Sequence, residues 1–252
     1  MKEAELAERR ERVFIILAGI FLCAMTMLNI IGITRFVQLG PMSLAVGVLP
    51  YPLTFLVTDL ISELYGRQRA NFLVWTGLGL NFFILGTMWL GQAMPAAALA
   101  PPWQTIQLAA EVPLPNGDSV SGAVEFYQVL YYCTSGAVFA SMMAYIAAQF
   151  CDVQLFHFWK RVTKGRHLWV RNNFSTLISQ MVDSVMVVTV TFGAAFLAGQ
   201  FTVGEVASLI GANYLFKMFV ALADTGPFYL TTHWLRNYLE LEDPTLEYAS
   251  ET

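Results

Sequence analysis

The sequence predicts an all-α integral membrane protein, a six-transmembrane-helix bundle with both termini cytoplasmic. Three observations lead there. Hydrophobic residues fill 56% of the 252 positions and charged residues only 13%, about half the roughly 25% charge of a soluble domain. Six stretches are long and apolar enough to cross a bilayer. The basic residues lie almost entirely on one side of those stretches. At this length a single polytopic bundle fits better than two domains.

The charged lead at 1–12, "MKEAELAERRER", reads as a cytoplasmic helix running into the first span. The apolar run behind it is too long for the core of a secretory signal, and no small-residue cleavage pattern follows. A retained first helix is therefore expected. Crossing the hydrocarbon takes about 20 mainly apolar residues, and residues 13–33, 42–64, 72–92, 124–149, 174–197 and 206–229 satisfy that. The second is the least regular. Gly47, Pro50 and Pro52 in "GPMSLAVGVLPYP" argue against a straight helix in its outer part. Irregular backbone at membrane depth needs protein or a cavity to cover it.

Segment 93–122 reads in one of two ways. "PPWQTIQLAAEV" forms either a short interfacial helix, with Trp103 at the headgroup level, or part of an irregular outer loop. The transport domain is expected over 13–235, followed by a polar cytoplasmic tail at 236–252. Cys23, Cys133 and Cys151 lack CxxC spacing and read as small packing residues.

Orientation follows from the arginines and lysines. Lys2, Arg9, Arg10 and Arg12 precede the first span, and Arg67 and Arg69 follow the second. Lys160, Arg161, Lys164, Arg166 and Arg171 lie between the fourth and fifth, and Arg236 follows the sixth, making 12 of the 14 basic residues. Only Arg35 falls on the other side, Lys217 is inside a span, and 93–122 has no Lys or Arg. Loops rich in Lys and Arg stay in the cytoplasm, which puts both ends there.

Ionisable side chains within spans are the candidate functional groups, because each costs roughly 2.5–3.5 kcal/mol on insertion scales and needs a partner or a cavity. They are Asp59 and Glu63 in the second span, Asp183 in the fifth, and Lys217 and Asp224 in the sixth; Glu125 lies at the outer boundary. Asp59 and Glu63 are one helical turn apart on one face. Two such carboxylates cannot both ionise cheaply in low dielectric, which makes a proton site; alternatively, Glu63 is a helix-end partner for Arg67 or Arg69. Asp183 lies about nine residues, roughly 14 Å, into its span. Gln180 and Thr176 share its broad face, giving a stripe that is either a binding surface or a helix–helix hydrogen-bond seam. Lys217 requires a counter-charge, with Asp183 and Asp59 as the candidates. Gly226 and Pro227 in "ADTGPFY" predict a kink or an end to the last helix.

Several chemistries find no motif. There is no GxxxxGK[ST] phosphate loop, no HExxH and no GxSxG, and His157, His167 and His233 have no metal-ligand spacing. No cofactor, metal, catalytic residue or nucleic-acid partner is expected.

Two blocks carry a family resemblance. One is "YPLTFLVTDLISELYGRQRA" at 51–70. The other spans 140–184 and contains "AYIAAQFCDV" and "LWVRNNFSTLISQMVDS". They resemble the queuosine-precursor transporter family, also called the vitamin uptake transporter family. The resemblance implies an inner-membrane importer of 7-deazaguanine bases, similar to the substrate-binding components of energy-coupling-factor transporters. A 7-deazaguanine presents an N–H and an amino donor side by side, an edge that a carboxylate accepts bidentately. On this reading Asp183 or Asp59 accepts from the base, Gln149, Asn173, Gln180 and Lys217 add polar contacts, and Tyr51, Phe55 or Trp169 stacks on the ring. Glu63 and Asp152, nearer the cytoplasm, suit a gate or proton site, and Arg171 suits Asp152 or a lipid phosphate.

The partners so implied are a deazapurine base and the bilayer, with a homodimer as one open arrangement. Three other readings stand beside secondary transport: a vitamin-binding subunit needing a separate ATP-driven module, an intramembrane hydrolase, and a structural scaffold. Two catalytic carboxylates on one helix at i,i+4 leave little room for a substrate between them. A scaffold explains Asp183 and Lys217 only as glue between helices.

Overall fold

The computed structural model describes residues 2–95, 101–162 and 168–241. Helix α1 (Lys2–Ile30) leads into a hairpin of β1 (Phe36–Leu39) and β2 (Met42–Ala45), then a 3-10 turn at Val46–Val48. Next come α2 (Tyr51–Tyr65) and α3 (Arg67–Ala93). A second hairpin, β3 (Thr105–Pro113) and β4 (Ser119–Glu125), precedes α4 (Phe126–Val162) and α5 (Leu168–Leu197). Helices α6 (Val203–Ala223) and α7 (Thr225–Tyr238) complete the order. Among the described residues, Glu3–Ile30, Gln68–Ala93, Leu177–Leu197 and Val203–Tyr238 are long and apolar enough to cross a membrane. The chain is a mainly helical, multi-pass membrane protein.

The structure changes several expectations. The described chain is mainly but not wholly α-helical, because the α1–α2 and α3–α4 connections contain antiparallel hairpins. Segment 93–122 is neither an interfacial helix nor an irregular loop in its described part. Its Thr105–Pro113 stretch pairs with Ser119–Glu125, so the backbone groups satisfy one another across strands. The outer part of the expected second span at 42–64 is irregular, as Gly47, Pro50 and Pro52 suggest, and the helix that remains is short. Residues 42–45 form β2, and α2 itself has 15 residues, roughly 22 Å at 1.5 Å per residue, which falls short of a hydrocarbon core about 30 Å thick. The kink expected at Gly226–Pro227 appears as a break just before it, where α6 ends at Ala223 and α7 restarts after Asp224. Cys23 is exposed rather than packed.

The described residues divide into two compact units, one within Met1–Thr26, Pro50–Gly79 and Val220–Thr252, the other within Met27–Leu49 and Leu80–Phe219. In the first, Val57, Leu60, Ile61 and Leu64 recur at helical spacing along α2 and are buried with Leu17 and Phe21 of α1, Ala70 and Leu73 of α3, and Leu235 of α7. Asp59 and Glu63 fall between these positions and are exposed.

The same unit is tied at its polar end. Arg10 donates to the carbonyls of Leu239 (3.1 Å) and Glu240 (3.0 Å), and Arg9 donates to that of Tyr238 (3.2 Å). Cations at the C-terminal end of α7 satisfy carbonyls that have no helical partner and complement the helix dipole. The Tyr65 hydroxyl donates to the Arg10 carbonyl at 2.9 Å, and Arg69 pairs with Glu11 at 3.2 Å.

In the second unit, α4 and α5 pack along their length. Ala137, Val138, Ala140 and Ala144 of α4 are buried, as expected where small side chains let helices approach closely. The first hairpin turns at Gly40, whose φ of +57° suits glycine, and folds back on the end of α1. The Gly47 N–H donates to the Gly32 carbonyl at 3.0 Å, and a Cβ on Gly47 would lie 2.8 Å from the Gly32 Cα. Phe36 of β1 lies 6.2 Å, ring to ring, from Phe192 of α5, which lies 5.5 Å from Phe201. Gly47→Val is expected to destabilise the protein by about 1–3 kcal/mol through overpacking, read as a lowered unfolding temperature in detergent. An unchanged temperature would mean that the hairpin does not depend on this contact.

Candidate functional site

Three polar side chains of the second unit's helices are buried and joined by hydrogen bonds between elements. Asn29 donates its amide to Asn81 Oδ1 at 2.8 Å, joining α1 to α3. Thr134 of α4 donates to the Ile30 carbonyl at 3.0 Å. These three side chains are at most 3% exposed. None of the three carries charge, so a search of the spans for ionisable groups passes over them. The signal that finds them is any amide or hydroxyl inside an apolar run.

The charged centre is an ion pair between Lys217 of α6 and Asp183 Oδ2 of α5. Lys217 is 4% exposed and Asp183 15%. The lysine therefore takes its counter-charge from Asp183, and the alternative of Asp59 is set aside. Burial differs in a useful way. The ammonium is enclosed, whereas the carboxylate keeps an accessible edge and the capacity to accept further hydrogen bonds. Gln180, half-buried, precedes Asp183 by three residues on the same face of α5. Ser184 beside it is fully buried, and its hydroxyl has no partner among the described residues.

The remaining candidates are spread over both units. Tyr51 opens α2, half-buried; Phe55 is also on α2, and Asp59 is on its exposed face. Glu63 pairs with Arg236 of α7 at 2.5 Å. Its partner is thus not Arg69, which is engaged with Glu11. Gln149 and Asp152 lie on α4, and Trp169, Arg171 and Asn173 on α5. The structure joins Asp183 with Lys217, and Glu63 with Arg236.

Removing one member of a buried ion pair leaves the other charge uncompensated, at a cost of about 3–5 kcal/mol, whereas replacing both with apolar groups is often neutral. Lys217→Met is therefore expected to reduce folded protein sharply, and Lys217→Met with Asp183→Leu to recover it. Yield and thermal unfolding in detergent measure both. Equal losses in the single and double variants would refute the pairing.

Comparisons with known proteins agree with this picture of a transport protein. The family model described as "Putative vitamin uptake transporter" matches residues 45–231. A protein of Bacillus subtilis (strain 168), "Probable queuosine precursor transporter", is 25% identical over 195 residues, covering 75% of this chain and 72% of that protein. No solved structure matches. With the family model covering well over half of its length, the chain belongs to the vitamin uptake transporter family.

Proposed function

We propose that this chain imports 7-deazaguanine bases, the nitrile or aminomethyl precursors of queuosine, across a bacterial inner membrane by secondary transport. The observation that carries the reading is the Asp183 carboxylate, held by Lys217 on one oxygen and still partly accessible on a membrane helix. A carboxylate in that state accepts the paired N–H and amino donors of a deazaguanine edge. The substrate class itself comes from the Bacillus subtilis relative. In this reading Asp183 is the principal acceptor, Lys217 orients it, and Gln180, Asn173 and Gln149 supply further polar contacts. Glu63 and Asp152 serve a gate or a proton path. Cytoplasmic termini, and with them an even number of crossings, are what the distribution of basic residues supports.

The test is uptake in cells that cannot make queuosine, supplied with low external precursor and read as precursor-dependent tRNA modification. Losing one charge-assisted contact to substrate weakens binding by roughly 10–100-fold, so Asp183→Asn is expected to cut modification to that degree at normal protein level. Exchanging the pair, Asp183→Lys with Lys217→Asp, preserves the ion pair and is expected to restore folding without restoring uptake. Uptake that survives both changes removes Asp183 from the site. In liposomes, accumulation under a proton gradient alone is expected. Accumulation only with an added ATP-driven module would replace secondary transport with the vitamin-binding-subunit reading.

A further inference from the structure

The second hairpin borders an open groove that the reading above does not use. Its turn is rigidly built. The Leu114 N–H donates to the Asp118 carbonyl at 2.7 Å, and the Gly117 N–H to the Leu114 carbonyl at 3.0 Å. The Asn116 amide donates to Asp118 Oδ2 at 2.6 Å. Leu114 is 4% exposed, anchoring the turn. At Gly117 the chain adopts a φ of +88° and passes over Ala194 of α5, where an added Cβ would meet the Ala194 carbonyl oxygen at 3.5 Å.

Between this turn and the first two turns of α4 the groove has a volume of about 500 Å³. Asp118, Ser119, Gln128 and Tyr132 contribute to its lining. Gln128 and Tyr132, four residues apart, share one face of α4. The volume falls within the roughly 300–1,000 Å³ of small-molecule sites. Its chemistry is a phenol ring for stacking, an amide that both donates and accepts, a Ser119 hydroxyl that donates to Glu111 and is left as an acceptor, and a carboxylate whose second oxygen remains an acceptor. The hairpin's own charge has one sign. Residues 101–125 contain Glu111, Asp118 and Glu125 and no Lys or Arg. Such a field repels phosphates and carboxylates and draws cations.

We propose that this groove is a capture site for a flat heteroaromatic base bearing a protonated amine, with the ring on Tyr132, the ammonium toward Asp118, and Gln128 on the polar edge of the ring. The proposal deepens the transport reading and rests on it. It gives the chain a preference: on the side opposite the arginine-rich ends, an aminomethyl-bearing base is concentrated ahead of its neutral nitrile counterpart.

The experiment compares both bases in uptake and in equilibrium dialysis against the purified full chain. An exposed charge pair contributes little, so Asp118→Asn is expected to raise the half-saturating concentration of the aminomethyl base by about two- to fivefold, leaving the nitrile base and both maximal rates unchanged. Base stacking on an aromatic ring is worth more, so Tyr132→Leu is expected to weaken both bases about fivefold or more. Raising the salt concentration is expected to reduce the preference in the wild type but not in Asp118→Asn. If wild type and both variants show the same ratio between the bases, the capture site is wrong while transport stands. If the wild type takes up neither base, the transport reading fails, and dialysis still decides the groove: unequal binding by wild type and Asp118→Asn keeps it, equal binding removes it.

Discussion

A single constraint organises the second unit: a full charge inside an apolar bundle must have an opposite charge beside it. Lys217 is almost wholly enclosed, and Asp183 of α5 sets the opposite charge beside it. The pair fixes α5 against α6 in rotation and in depth, because sliding or turning either helix would leave a bare ion in a medium that solvates it poorly. The carboxylate is the less enclosed member, so the same contact that holds the helices also holds an acceptor in a set orientation. In the proposed transport role, structure and recognition would rest on this one interaction, so a substitution at either position tests both.

The second constraint concerns backbone. Peptide groups near a bilayer must find partners within the protein. Helices meet that need internally. Where the chain has to leave a helix, each of the two described hairpins meets it by pairing neighbouring strands. Both hairpins reach the far end of α5, one through Phe36 on Phe192 and the other through Gly117 over Ala194. That helix therefore carries Asp183 along its middle and two folded covers at its tip.

Much of this was legible in the sequence, for reasons of spacing and cost. Apolar runs announce helices, the burial of Val57, Leu60, Ile61 and Leu64 follows the helical period, and the expense of Lys217 points to a nearby acid. The failures have equally physical causes. "TIQLAAEV" alternates too weakly to declare a strand, because nearly all of β3 is exposed and no buried face imposes a period of two. Gly47, Pro50 and Pro52 warn against a straight helix over 42–50, but the strand and tight turn that replace it meet Gly32 at Gly47, a contact no local pattern announces. Asn29 and Asn81 are 52 positions apart, and nothing local relates them. Glu63 was given an arginine partner of the right kind but the wrong address, since Arg236 comes from an element 173 residues away.

The knot of contacts around Arg9 and Arg10 bears on how the chain is made. The first unit needs Leu17 and Phe21 near one end of the sequence and Leu235 near the other. Its arginine clasp also closes on carbonyls at Tyr238, Leu239 and Glu240. The second unit draws only on the intervening stretch, so the ribosome delivers all of its parts first. The earliest helix to enter the membrane must wait, incompletely packed, while the centre of the protein assembles, and it acquires its last neighbours only as translation nears Glu240. A fusion or truncation that disturbs the final helical turn would consequently be felt at the opposite terminus.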